Sequence, residues 1–218
     1  MRIEGRRGAP TNRPEIATVH MDRRGFMIVS ILGFGACYFE GVAVAGMNQV
    51  HVLDDFSRDD LISTLGTPWR GFSDQVMGGI SQETIALTEI EGRRCLRLTG
   101  DVRLENNGGF IQMALDLAPE GRTLDASSYT GVLLTARGNG ESYGAHLRTP
   151  ACTRPWQSYR TGFVAMPEWR EIKLPFDEFE PYRLTDALDV GQLRRLGLVA
   201  IGRAFYADLA ISAVGLYR

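Results

Sequence analysis

WRGFSDQVMGGIS, residues 69–81, places a tryptophan, a Ser-Asp pair, a methionine and two adjacent glycines ahead of a strand-like segment. Gly78 and Gly79 supply a positive φ or let two backbones approach closely, which other residues achieve only at a cost. Ser73 and Asp74 carry oxygens that accept hydrogen bonds from backbone N–H groups in the same turn. Trp69 and Met77 then bury apolar surface beneath a loop otherwise too polar to stay ordered. The stretch reads as a rigid, self-bonded corner that also holds Ser81, and the chain leaves it as a strand.

Strands follow one another from there. ISQETIAL (80–87), CLRLTGDVRL (95–104), GFIQMALDLA (109–118), GVLLTARG (131–138), SYGAHLRT (142–149), WQSYRTGFVA (156–165), WREIKLP (169–175), LGLVAIG (196–202) and ADLAISAVGLY (207–217) are short and apolar or alternating. Gly, Asn, Asp or Pro separates them. No stretch of helical period intervenes except a turn near residues 186–195. This spacing predicts an all-β chain, an antiparallel β-sandwich or jelly roll, in place of βαβ units. With 218 residues, 44% hydrophobic and 23% charged, the chain suits one globular domain. A formal charge of −2 leaves no electrostatic footprint for nucleic acid.

The first 45 residues read differently. MDRRGFMIVSILGFGACYFEGVAVAG, residues 21–46, has paired arginines, an apolar run and then Ala43-Val44-Ala45, the layout of an export signal. Arg23-Arg24 followed by Gly25-Phe26-Met27 resembles the twin-arginine pattern. We read residues 1–45 as an N-terminal extension with a twin-arginine signal peptide, Met21 being an alternative start, and residues 46–218 as a single β-sandwich domain. An uncleaved membrane anchor is the second reading, opposed by Glu40, and lipidation at Cys37 the third. The expected location is exported and periplasmic, with membrane contact only if the signal stays uncleaved.

Four motifs in order carry a family resemblance. Trp69, Ser73-Asp74, Val76-Met77-Gly78-Gly79 and Ser81 form the first, and Glu105-Asn106-Asn107-Gly108-Gly109-Phe110 the second. Arg137-Gly138-Asn139-Gly140 with Tyr143 forms the third, and Trp169 with Leu174-Pro175-Phe176 and Phe179 the fourth. Together they resemble the complex I intermediate-associated protein family, known from assembly of NADH:ubiquinone oxidoreductase. The resemblance implies a galactose-binding-domain-like jelly roll and an assembly role. Two departures bear on that role. Export would place the protein across the membrane from the NADH-binding arm of bacterial complex I, and Ala114 stands where the family often carries an arginine.

Enzyme constellations are not visible. After residue 45 only His51 and His146 occur, without metal-ligand spacing to each other or to cysteine. Arg137-Gly138-Asn139-Gly140 between two strands is a hairpin turn before it is a phosphate loop. Asp54-Asp55, Asp59-Asp60 and Asp177-Glu178 only weakly suggest a carboxylate pair for glycoside hydrolysis. A calcium at Asp54 and Asp55 competes with the plainer reading, solvated acids at a strand end. No cofactor and no metal are expected. Cys95 and Cys152 form a bridge in an oxidising compartment or are simply buried.

The expected function is a non-catalytic protein-interaction module, an assembly or maintenance factor for a membrane or periplasmic complex. The alternative is an exported carbohydrate-binding module with a glycan as partner. Alternation puts Gln112, Arg137, His146, Arg148, Trp156 and Arg160 on one polar surface if their strands share a sheet, either a solvated sheet face or a binding face for an acidic partner. Aromatics in line on that sheet would favour a glycan, and an apolar patch with a polar rim a protein.

Overall fold

The computed structural model describes residues 50–218. The export segment and Cys37 lie outside the described residues. Among the described residues twelve strands follow one another: β1 (His51–Asp54), β2 (Trp69–Ser73), β3 (Gln82–Ile90), β4 (Arg93–Val102), β5 (Phe110–Asp116), β6 (Gly131–Gly138), β7 (Ser142–Arg148), β8 (Ser158–Val164), β9 (Arg170–Pro175), β10 (Glu180–Tyr182), β11 (Arg195–Ile201) and β12 (Phe205–Tyr217). They form two six-stranded sheets. One has the order β3-β4-β12-β6-β9 with β1 also pairing β12, and the other the order β10-β8-β7-β11-β5-β2. Every pairing is antiparallel.

The period-2 pattern explains why the sheets stack. Leu96 and Leu98 on β4, Val132 and Leu134 on β6, and Leu209 and Ile211 on β12 turn inward from the first sheet. Ile111, Met113 and Leu115 on β5, Ala145 and Leu147 on β7, and Leu196 and Leu198 on β11 meet them from the second. A one-residue slip in any of these strands would expose its whole apolar set, so the register is strongly fixed. Burial of both inner faces leaves the outer faces for water or for a partner.

Three strands lie outside the segments expected from the pattern. The opening Trp69–Ser73 is β2, paired with β5, and is no part of a loop. Its alternation is concealed because Gly71 interrupts the inward side and Phe72 places an aromatic on the outward one. β1 has only 4 residues, and β10 has 3 with Pro181 at its centre, tolerated because β10 is an edge. The turn expected near 186–195 is the short 3-10 helix Val190–Gln192. Among the described residues no helix is long and apolar enough to cross a membrane.

Asp54 is not the solvated acid expected at a strand end. It is buried, accepts the indole Nε1–H of Trp69 at 2.7 Å and the backbone N–H of Phe56 at 3.1 Å, and so ties β1 to β2. Asp55 accepts the N–H of Ser57 at 3.0 Å. Among the described residues no group of three or more His, Cys, Asp or Glu gathers to hold a metal. Cys95 and Cys152 are both free and buried.

Candidate functional site

The corner that opened the sequence is built around one carboxylate. After β2 the chain makes a 3-10 turn, Asp74–Met77, ended by Gly78 at φ 90° in the left-handed region. Asp74 is fully buried. Its Oδ1 accepts the N–H of Ser81 at 2.9 Å, and its Oδ2 accepts the Ser81 hydroxyl and the N–H of Gly109 at 2.5 Å. The N–H of Phe110 lies 3.3 Å from the same oxygen. Burial works against the charge, but these donors outweigh it and hold the carboxyl below its usual range. Gly79 and Gly108 make room for the carboxylate, since a Cβ would stand 2.2 and 2.5 Å from its oxygens. The donors thus come from a second loop as well as from the same turn.

Two expectations for this corner change. Ser73 makes no capping bond and sits buried at the end of β2. Met77 is 59% and Val76 73% exposed, so neither lies beneath the loop. Asp74 fastens the backbone, and the two apolar side chains are free to point outward.

The remaining motif residues are also mostly scaffold. Tyr143 reaches from β7 to donate to Asn139 Oδ1 at 2.7 Å and accepts the N–H of Asp208 at 2.9 Å. Burial pushes its phenol up to about 12. Asn139 in turn donates to the Tyr206 carbonyl at 2.8 Å, so the β6–β7 hairpin is clamped to β12. Gly140 turns that hairpin at φ 81°, and at Gly138 a Cβ would stand 2.7 Å from Ala165. Pro175 pairs with Gly131 at the end of β9, while Phe176 and Phe179 join the core. The guanidinium groups of Arg93 and Arg137 each lie 5.9 Å from the Trp169 ring centroid. Asn107 belongs to the 3-10 turn Glu105–Asn107.

The outer face of the second sheet carries a groove of about 560 Å³. It brings together Gln112, His146, Arg148, Trp156 and Arg160 from the expected surface, and Met77 and Phe110 from the motifs. Arg137 does not join them. It lies on β6 in the other sheet, paired with Glu91 at 2.8 Å.

The floor is flat because its glycines allow it. Gly197 on β11 lies opposite His146 on β7 and Ala114 on β5. A Cβ there would sit 3.1 Å from Gln112 Oε1, and one at Gly144 would sit 3.0 Å from His146 Nε2. Ala114 also pairs with Arg70 on β2, which places it beside the groove floor. Phe72, Val76, Met77 and Phe110 border the β2 edge, and Pro155, Trp156 and Tyr182 the β10 edge. The Asp74 knot therefore positions a wall of the groove, because it joins the turn that bears Val76 and Met77 to the loop that delivers Phe110.

The groove's charged groups are already engaged. Arg148 donates to the carbonyls of Pro155 at 2.7 Å and of Cys152 and Arg154 at 3.0 Å, which shapes the loop that carries Trp156. Arg160 packs its guanidinium 3.5 Å from the Tyr182 ring centroid and donates to Ser158 Oγ at 2.8 Å. Arg195 donates to Asp116 at 2.7 Å and stands 5.8 Å from the Phe72 ring. Burial, reinforced by Arg160 opposite it, pushes the His146 imidazole down to about 3, so it is neutral. No Asp or Glu lines this groove.

Phe72, Tyr182, Arg195, Gly197 and Val199 were not expected at the site. Extending the alternation back from Leu196 and Leu198 would have turned Arg195, Gly197 and Val199 outward with Gln112. Tyr182 gave no such signal, because its strand is three residues long.

Comparison with known proteins agrees with the architecture. The family model described as Complex I intermediate-associated protein 30 matches residues 55–210. No curated protein sequence matches the chain. Among solved structures it is similar to a family 11 carbohydrate-binding module from Clostridium thermocellum in complex with a β-1,3-1,4-mixed-linked tetrasaccharide. That match has TM-score 0.59 and 12% identity, covering 77% of this chain and 94% of that one. It is also similar to a family 30 carbohydrate-binding module of a cellulosomal cellulase of Clostridium thermocellum, with TM-score 0.53, 16% identity, and coverage of 75% and 95%. At these identities the likeness speaks to the jelly-roll fold alone.

Proposed function

The chain belongs to the complex I intermediate-associated protein 30 family, and on that premise we propose that it is a non-catalytic, exported protein-interaction module. It serves assembly or maintenance of a membrane or periplasmic complex, and the groove on its second sheet is the docking site. The observation that carries this reading is the pair Val76 and Met77, 73% and 59% exposed on a turn that Asp74 holds rigid. Surface apolar side chains on an ordered turn beside a groove offer a partner burial without an ordering cost. The lining supports binding over catalysis: no carboxylate lines the groove, and its one histidine, pushed down to about 3, is a weak base with no acid facing it.

The aromatic rings favour a protein over a sugar. Stacking needs an open ring face, and Arg160 covers one face of Tyr182 while Arg195 stands near Phe72. Trp156, 51% exposed, is the observation that favours a second reading, a glycan on the same face.

Val76→Asp with Met77→Asp is the test. Both positions are exposed, so the double variant keeps the wild-type melting temperature and loses co-purification of its envelope partner. Retained co-purification overturns the reading. Retention of the full-length protein on a β-1,3-1,4-glucan gel, lost in Trp156→Ala, would establish the glycan in its place.

A further inference from the structure

The charge around the groove is unlike that of the chain as a whole. The sequence is acidic by two charges, yet the groove lining includes three arginines and no acid. Beside it, where β11 and the loop after β7 meet, lies a second pocket of about 310 Å³ lined by Asp116, Arg148, Thr153, Pro155, Arg194 and Arg195. Arg148, Pro155 and Arg195 belong to both, so the pocket is continuous with the groove.

Asp116 is the pocket's one carboxylate, and it is already held by Arg195 at 2.7 Å and Arg70 at 3.1 Å. Arg148 has only carbonyl acceptors for its guanidinium. Burial, with Arg195 and Arg194 nearby, pushes Arg148 below its ordinary range. Arg194 is exposed, and its side chain has no bonding partner among the described residues. Three arginines therefore line the pocket beside one carboxylate that already serves Arg195 and Arg70, an arrangement that a second anion relieves.

The six strands of this sheet, about 4.8 Å apart, give the groove a width of about 24 Å, which about seven extended residues cross. Resting on the protein-docking reading above, we infer that the arginine pocket receives an acidic side chain of an extended partner segment, whose apolar side chains lie along the groove. The acidic residue supplies the missing anion, and Arg194 and the free nitrogens of Arg195 are its donors. The apolar residues meet Phe72, Val76, Met77 and Phe110.

The full-length protein, immobilised, is used to select from a displayed library of random peptides. The recovered peptides are expected to combine an acidic residue with apolar neighbours. Alanine at the acidic position, or Arg194→Ala in the protein, is expected to weaken a selected synthetic peptide roughly tenfold, as loss of one charge-assisted pair does. Binding to the wild type should fall as salt rises from about 0.1 M to about 0.5 M, and binding to Arg194→Ala should fall less. Peptides without acidic residues, or full affinity in Arg194→Ala, overturn the arginine pocket while leaving the groove reading in place. Failure to recover any peptide that Met77→Asp abolishes overturns the groove reading itself. Competition by inorganic phosphate that leaves Arg194→Ala unaffected supports the pocket, and inhibition equal in both proteins overturns it.

Discussion

Asp74 Oδ2 accepts the backbone N–H of Gly109 at 2.5 Å, a bond between residues 35 positions apart that joins the first two sequence motifs into one knot. The same carboxylate holds Ser81. Asp74→Ala leaves several buried donors unsatisfied and is expected to cost about 3 kcal/mol. Its folded-state pKa is depressed, so the carboxylate's contribution is full above its unfolded value of 3.8 and is lost as pH falls through the folded one. Urea unfolding at neutral pH checks the cost, and an unchanged midpoint contradicts it. Gly79→Ala should behave similarly, since the added Cβ meets the Asp74 carboxylate.

His146 predicts a pH dependence. Its pKa of about 3 lies below the ordinary 6.5, so the unfolded chain binds more protons between those values. Its contribution is full above pH 6.5 and diminishes as pH falls. Moving from pH 7 to pH 5 is expected to cost on the order of 1–2 kcal/mol through this residue. His146→Gln removes that part of the loss. Equal acid sensitivity in variant and wild type, measured by urea unfolding at both pH values, would contradict the assignment.

Trp69 and Asp54 predict a coupled pair. Trp69→Phe keeps the buried ring and deletes the donor at 2.7 Å, which leaves the Asp54 carboxyl one bond short. The expected cost is about 2 kcal/mol, and Asp54→Ala together with Trp69→Phe should cost less than the sum of the single changes. Strict additivity in thermal unfolding would show that the bond contributes nothing.

Nine strands were legible because their apolar residues alternate, and the sandwich follows from burial of those faces. β2 was not, because Trp69 and Phe72 are apolar on opposite faces with Gly71 between them. The site was half legible. Gln112, His146, Arg148 and Arg160 follow from strand alternation, but sheet membership does not: alternation alone puts Arg137 with them, although β6 belongs to the other sheet. Asp74 was legible as a bonded turn residue and its reach to Gly109 was not, since nothing in sequence spacing brings those two loops together. Met77 misled because hydrophobicity predicts burial only on average, and this side chain is exposed.

Export through the twin-arginine route is proposed from Arg23-Arg24-Gly25-Phe26 and Ala43-Val44-Ala45. Residues 21–50 fused to a reporter active only after folded export should give signal, and lysine at both Arg23 and Arg24 should remove it. Equal signal from the two fusions rejects the route.

The face that meets the partner is the one bearing Met77. A photo-crosslinking amino acid placed at Met77 in cells that natively make this protein should trap a protein partner. The same group at Tyr206, 55% exposed on β12 of the opposite sheet, should trap none. Adducts from Tyr206 and none from Met77 would place the partner on the other face and contradict the account.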